Sequence, residues 1–117
     1  MSVARTKRGQ LATAGLRDAA PLFAALGDRT RLRLLARLAR GPHSITRLSE
    51  RADISRQAIT KHLAVLMRAG LVRDTRLGRE RHFELERARL DAARAYVERI
   101  GRQWDGALAR LKAHVEG

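Results

Sequence analysis

Apolar residues recur every three or four positions along most of this chain, and the phase of that repeat breaks in only a few places. Ile45, Leu48 and Ala52 make one short stripe, and Ile59, Leu63 and Leu66 make another. Such spacing marks helices with one buried face. Asp53-Ile54 leaves room for only a short turn between them, with Ile54 expected as a buried plug. Ser44 precedes the first stripe and Ser55 the second. A serine oxygen at such a position accepts from free N–H groups in the helix's first turn. The stretch 44–66 is therefore predicted to be a helix-turn-helix, whose second helix lies in a DNA major groove.

Upstream, residues 1–12 are expected to be a flexible basic arm, and a single domain is expected over 13–117. Asp18 is placed to cap a helix through Ala19, Leu22, Phe23 and Leu26, with Pro21 in its first turn, where a missing N–H does little harm. Gly27 ends that helix and Asp28 caps the next, whose stripe reads Leu32, Leu35, Leu38 and Ala39 before Gly41-Pro42 stops it.

Downstream, Gly70 is expected to close the second motif helix. Residues 71–76 read as a strand, 77–80 as a turn, and 81–85 as the return strand, with Phe83 and Leu85 alternating with charged neighbours. A hairpin directly after a helix-turn-helix is a wing. From about 88 to 116 a single long helix carries Leu90, Ala93, Val97, Ile100, Trp104, Ala107 or Leu108, Leu111 and Val115 at alternating steps of three and four. That is a heptad-like seam. The helix is too long for so small a domain to bury, so a second copy is the economical partner. Trp104 is expected first as an interface or core anchor. The predicted fold is mainly α with a small two-stranded β wing and a long C-terminal dimerisation helix.

The polar positions sharpen this picture. At about 100° per residue, Gln57, Thr60, Lys61 and Ala64 share the face opposite the second stripe, with Arg56 at its edge. These side chains reach base edges, and the small Ala64 permits close approach. Arg76, Arg79 and Arg81 crowd the wing and suit DNA backbone or a narrow minor groove. The net charge is +13. Such an excess implies a polyanionic partner, because neutralising phosphates releases condensed counterions. The preference for Arg over Lys is attributed to a GC-rich genome. With aromatics limited to Phe23, Phe83, Tyr96 and Trp104, there is no stacking platform for single strands.

Three segments together resemble the ArsR-type transcriptional regulators. They are Leu22-Phe23-Ala24-Ala25-Leu26-Gly27-Asp28-Arg29-Thr30-Arg31-Leu32-Arg33-Leu34-Leu35, Ser55 to Leu66 followed by Ala69-Gly70-Leu71-Val72, and Gly78-Arg79-Glu80-Arg81. The resemblance covers about residues 18–117. It implies a homodimeric winged-helix repressor on an imperfect palindrome in double-stranded DNA, at its own or a neighbouring operon. It also implies that Arg56, Gln57, Thr60 and Lys61 face the groove. Ser44, Ser55 and His62 join Arg76, Arg79 and Arg81 as expected backbone contacts, His62 in a packing or phosphate role. Dimers of the family use the first and last helices, so the expected interface is Leu22, Leu90, Val97, Ile100, Trp104, Leu108 and Leu111.

The chain departs from the metal-sensing members of that family. It has no cysteine, which excludes thiolate sites and disulfides. Its last helix offers Asp91, Glu98, Asp105, His114 and Glu116, without the paired His/carboxylate set that such a site needs. The expectation is no metal, no cofactor and an undetermined effector. No phosphate loop, nucleophile elbow or triad spacing suggests an enzyme. No apolar run is long enough to span a membrane, and Arg5, Lys7 and Arg8 are not followed by the apolar stretch of a secretory signal. The expected location is the bacterial cytoplasm, on the nucleoid when DNA-bound. The rival reading is an architectural protein that binds DNA without sequence choice.

Overall fold

A computed structural model of the chain describes residues 19–116. The expected arm and the Asp18 cap lie outside the described residues. Residues 19–26 are helical (α1), and α2 spans Arg29–Leu38, α3 Ile45–Glu50, α4 Arg56–Arg68 and α5 Arg87–Glu116. Three strands complete the fold: β1 at His43–Ser44, β2 at Val72–Leu77 and β3 at Glu80–Leu85.

The helix starts are set by local chemistry. Asp28, Ser44 and Ser55 each sit in extended backbone and accept from the N–H three residues on, at Arg31, Arg47 and Ala58. The exit of α4 is equally defined. Gly70 has φ +78, its N–H donates to Met67, and the Leu71 N–H donates to Leu66. This paired arrangement closes a helix around a left-handed glycine. It drives Leu71 straight into the core, where it is fully buried.

The core is built where α2, α3, α4 and the sheet converge. Leu48, Ile59, Leu63, Leu66 and Leu71 are its largest fully buried side chains, each contributing about 1.5–3 kcal/mol relative to exposure. Leu34, Leu35, Leu38, Phe83 and Ala93 pack around them, and Ile54, expected as a buried plug, packs against the cluster only half-buried.

Three expectations change. The sheet has three strands rather than two, in the order β1-β3-β2, with His43 opposite Phe83 and Ser44 opposite His82. Two residues squeezed between a Gly-Pro stop and a helix cap are too few to show alternation. Leu22 is 3% exposed and belongs to the core cluster rather than to a dimer face. On α2 the buried face is Leu34, Leu35 and Leu38, while Leu32 is half-exposed. The crowded leucines of this stretch admit more than one phase, and packing against α4 selects one.

Candidate nucleic-acid interface

Ile59, Leu63 and Leu66 are at most 1% exposed, so the rotation of α4 about its axis is locked. The opposite face is thereby turned to solvent: Arg56, Gln57, Thr60 and Lys61 are all exposed, and Ala64 is half-buried. Thr60 Oγ1 donates back to the Arg56 carbonyl at 2.9 Å. Its remaining lone pairs and methyl stay available at the surface. The sequence-predicted base-facing set is thus brought together on one helical face, beginning at the capped end next to Ser55.

Two other predicted contacts are used differently. Ser44 is 8% exposed, caps α3 and pairs with β3, which leaves little surface for phosphate. His62 turns away from the reading face, with its Nδ1 3.3 Å from Arg31 Nη1. For Arg31 to donate there, the imidazole must be neutral at Nδ1. The same nitrogen is 3.8 Å from Asp28 Oδ2, beyond hydrogen-bond reach.

Arg31 is a clamp that sequence reasoning missed. Its Nε donates to the Ala25 carbonyl at 2.7 Å and its Nη2 to Ala24 at 3.1 Å, which satisfies the open end of α1 while reaching α4. The Arg31 backbone N–H, donating to Asp28, holds that carboxyl below its ordinary pKa. Arg37 similarly donates to the carbonyls of Leu48 and Arg47, both at 3.0 Å, at the C-terminal end of α3, where cations are favoured. Arg89 donates to Ala69 at 2.9 Å. Part of the arginine excess is therefore structural. No local signal marks these clamps in the sequence, since Arg37, for one, shares its helical face with Arg33 and Arg40.

The wing turns through Gly78 and Arg79. Gly78 alone has positive φ, +67, the pattern of a type II′ hairpin. Arg76 and Arg79 are exposed and unpaired among the described residues. Arg81 is engaged: its Nε donates to Asp74 Oδ2 at 2.7 Å, and its guanidinium lies 5.1 Å from the Phe83 ring centre. Arg76 and Arg81 stand directly opposite each other across the hairpin, a like-charge placement that is unfavourable without an anion. Asp74 supplies one anion from the chain itself.

Along α5 only Ala93 is buried, with Leu90 packed against the core. Phe23 and Tyr96 rings, 5.8 Å apart, tie α1 to its first half. Beyond that, Val97, Ile100, Trp104, Leu108, Leu111 and Val115 are 44–75% exposed. Among the described residues no group of three or more His, Asp or Glu is placed to hold a metal ion, and no helix is long and apolar enough to cross a membrane.

A helix-turn-helix domain profile matches residues 26–75. The HTH-type transcriptional regulator Rv2034 of Mycobacterium tuberculosis is 38% identical over 84 residues, covering 72% of this chain and 76% of that protein. The structure of an ArsR-like transcriptional regulator from Rhodococcus sp. RHA1 superposes with a TM-score of 0.78 at 41% identity, over 84% of this chain and 92% of the other. The chain belongs to the ArsR family of helix-turn-helix transcriptional regulators. A winged helix-turn-helix domain of Mb0332 from Mycobacterium bovis, solved in solution as a homodimer, shares the fold at a TM-score of 0.62 and 24% identity, over 86% of this chain and 90% of the other. Within an ArsR-family fold, the face of α4 bearing Gln57 and Lys61 and the wing bearing Arg76 and Arg79 are the surfaces to weigh as DNA contacts.

Proposed function

We propose that this ArsR-family regulator is a homodimeric, sequence-specific repressor that occupies a palindromic operator at its own or a neighbouring operon. Arg56, Gln57, Thr60 and Lys61 read base edges in the major groove. Ser55, Arg76 and Arg79 grip the backbone beside it, and Arg81 contributes less because Asp74 already neutralises it. Two copies join along α5 through Val97, Ile100, Trp104, Leu108 and Leu111, with Leu90 at the edge of the seam. A second copy of this chain suits that stripe because its apolar residues repeat at coiled-coil spacing. The Mb0332 domain, which shares this fold, is itself a homodimer. A dimer on a promoter palindrome excludes polymerase by occupancy.

The observation that carries sequence reading is the exposed amide and hydroxyl of Gln57 and Thr60 on the rotationally locked face of α4. Phosphate contacts position a protein, whereas base contacts specify sequence. The test is a footprint upstream of its own gene, followed by titration against the protected sequence and a scrambled duplex at two salt concentrations. The protected duplex should bind at least about 10³-fold tighter. Equal affinities with equal salt slopes would instead identify an architectural DNA binder.

A further inference from the structure

Behind the reading helix lies a groove that the DNA contacts above do not use. It has a volume of about 390 Å³ and runs between α2, the end of α3 and the turn that leads into α4. That is within the range of small-molecule sites, roughly 300–1,000 Å³. Its floor is apolar, with Ala52 and Ile54 partly exposed over the buried Leu34, Leu48 and Ile59. Its rim is cationic, with Arg33, Arg37, Arg40 and Arg51 against the single carboxylate of Asp53. Arg33, Arg40 and Arg51 are exposed and have no ion pair or hydrogen bond among the described residues. Beside it a second hollow of about 310 Å³ shares Arg37, Arg40 and Arg51 and adds His43, Arg47 and one carboxylate, Glu50.

Three exposed, unpaired guanidiniums beside one apolar hollow make a favourable place for an anion. Arg is also the side chain best suited to hold carboxylate or phosphate in a fork. We infer that this groove is a binding site for a small amphipathic anion, with its apolar body over Ala52 and Ile54 and its carboxylate or phosphate among Arg33, Arg40 and Arg51. Arg37 is already committed to the α3 carbonyls, so it fixes the floor while the other three take the ligand. None of the lining residues belongs to α1 or α5, so dimerisation along α5 leaves the groove open. Ile54 lies in the turn that sets α4, and a ligand that shifts it would reorient the reading helix. This regulatory consequence rests on the DNA-binding reading, whereas occupancy of the groove does not.

Octanoate is the probe, with 1-octanol as its uncharged counterpart, titrated into the isotopically labelled full chain and followed by backbone amide NMR shifts. Octanoate should give saturable shifts in residues 30–40 and 48–54, and 1-octanol should bind them more weakly. Loss of two charge-assisted contacts in Arg33→Ala/Arg51→Ala should weaken octanoate at least about tenfold. The same double variant should keep the wild-type salt slope for DNA. Shifts confined to the exposed stripe of α5, equal binding of octanol, or octanoate binding unaffected by the double substitution would each overturn the site. So would a fall in salt slope of about one per arginine, which would assign both side chains to DNA phosphates. Octanoate binding without any effect on DNA affinity would retain the site and remove only its regulatory role.

Discussion

Gln57 and Arg79 are both exposed and polar, yet their surroundings give them different work. Gln57 projects from a helix whose rotation is fixed by three buried side chains, so its amide has a defined direction. Arg79 sits at the tip of a two-residue turn, where a long side chain finds any nearby phosphate. Gln57→Ala should therefore alter base preference at one operator position, with about 1–3 kcal/mol less discrimination there. Arg79→Ala should weaken all duplexes alike and reduce the salt slope by about one. Titrations against single-base operator variants separate the two, and a specificity change in Arg79→Ala would reverse the assignment. Asp28 makes a third residue-scale case. Its carboxyl pKa is lowered chiefly by the Arg31 backbone N–H. Its contribution to stability is thus complete above the ordinary carboxylate value of about 3.9 and is lost as pH falls through the lower folded value. Asp28→Asn keeps a cap but removes the titration, so its urea midpoint should fall less than the wild type's below about pH 4.

At the scale of elements, helix boundaries were the most legible part of the sequence. Asp28, Ser44, Ser55 and Gly70 each end or start a helix as read from composition and spacing, because capping is chemistry among near neighbours in the chain. The short β1, the burial of Leu22 and the clamps of Arg31 and Arg37 were not legible. Each depends on a partner six to about forty positions away, and local periodicity carries no such information. The groove between α2 and α3 was hidden for the same reason: its arginines read as a general excess until the fold gathered them. Gly70 gives this scale its prediction. A Cβ there would lie 3.1 Å from Arg89 Nε on a backbone with φ +78. Gly70→Ala should cost about 1–2 kcal/mol for the left-handed conformation, read as a lowered midpoint in urea. An unchanged midpoint would mean that α4 ends differently in solution.

For the whole molecule, the question is what covers α5. Six large apolar side chains on one exposed stripe form a continuous patch of the kind that marks an interaction surface. Trp104, at 63% exposure, is the largest of them and stands between Ile100 and Leu108. Trp104→Glu should shift sedimentation from dimer to monomer. Operator affinity should fall by at least about tenfold, because two heads joined in one assembly bind with an effective concentration that separate heads lack. A variant that remains dimeric would move the interface elsewhere. The folding unit itself should be little affected, since Trp104 lies outside the core cluster.

The 30-residue length of α5 also makes the proposed dimer a mechanical caliper. From Trp104 back to the start of the helix at Arg87 is about 25 Å of stiff rod. A change of about ten degrees in the crossing of the two rods would move the two reading heads about 4 Å relative to one another, more than the roughly 3.4 Å between successive base pairs. Small adjustments at the seam are thus geared up into a mismatch with the spacing of an operator's half-sites. A regulator built this way can lose its grip on DNA without any residue of the reading face changing its place on α4.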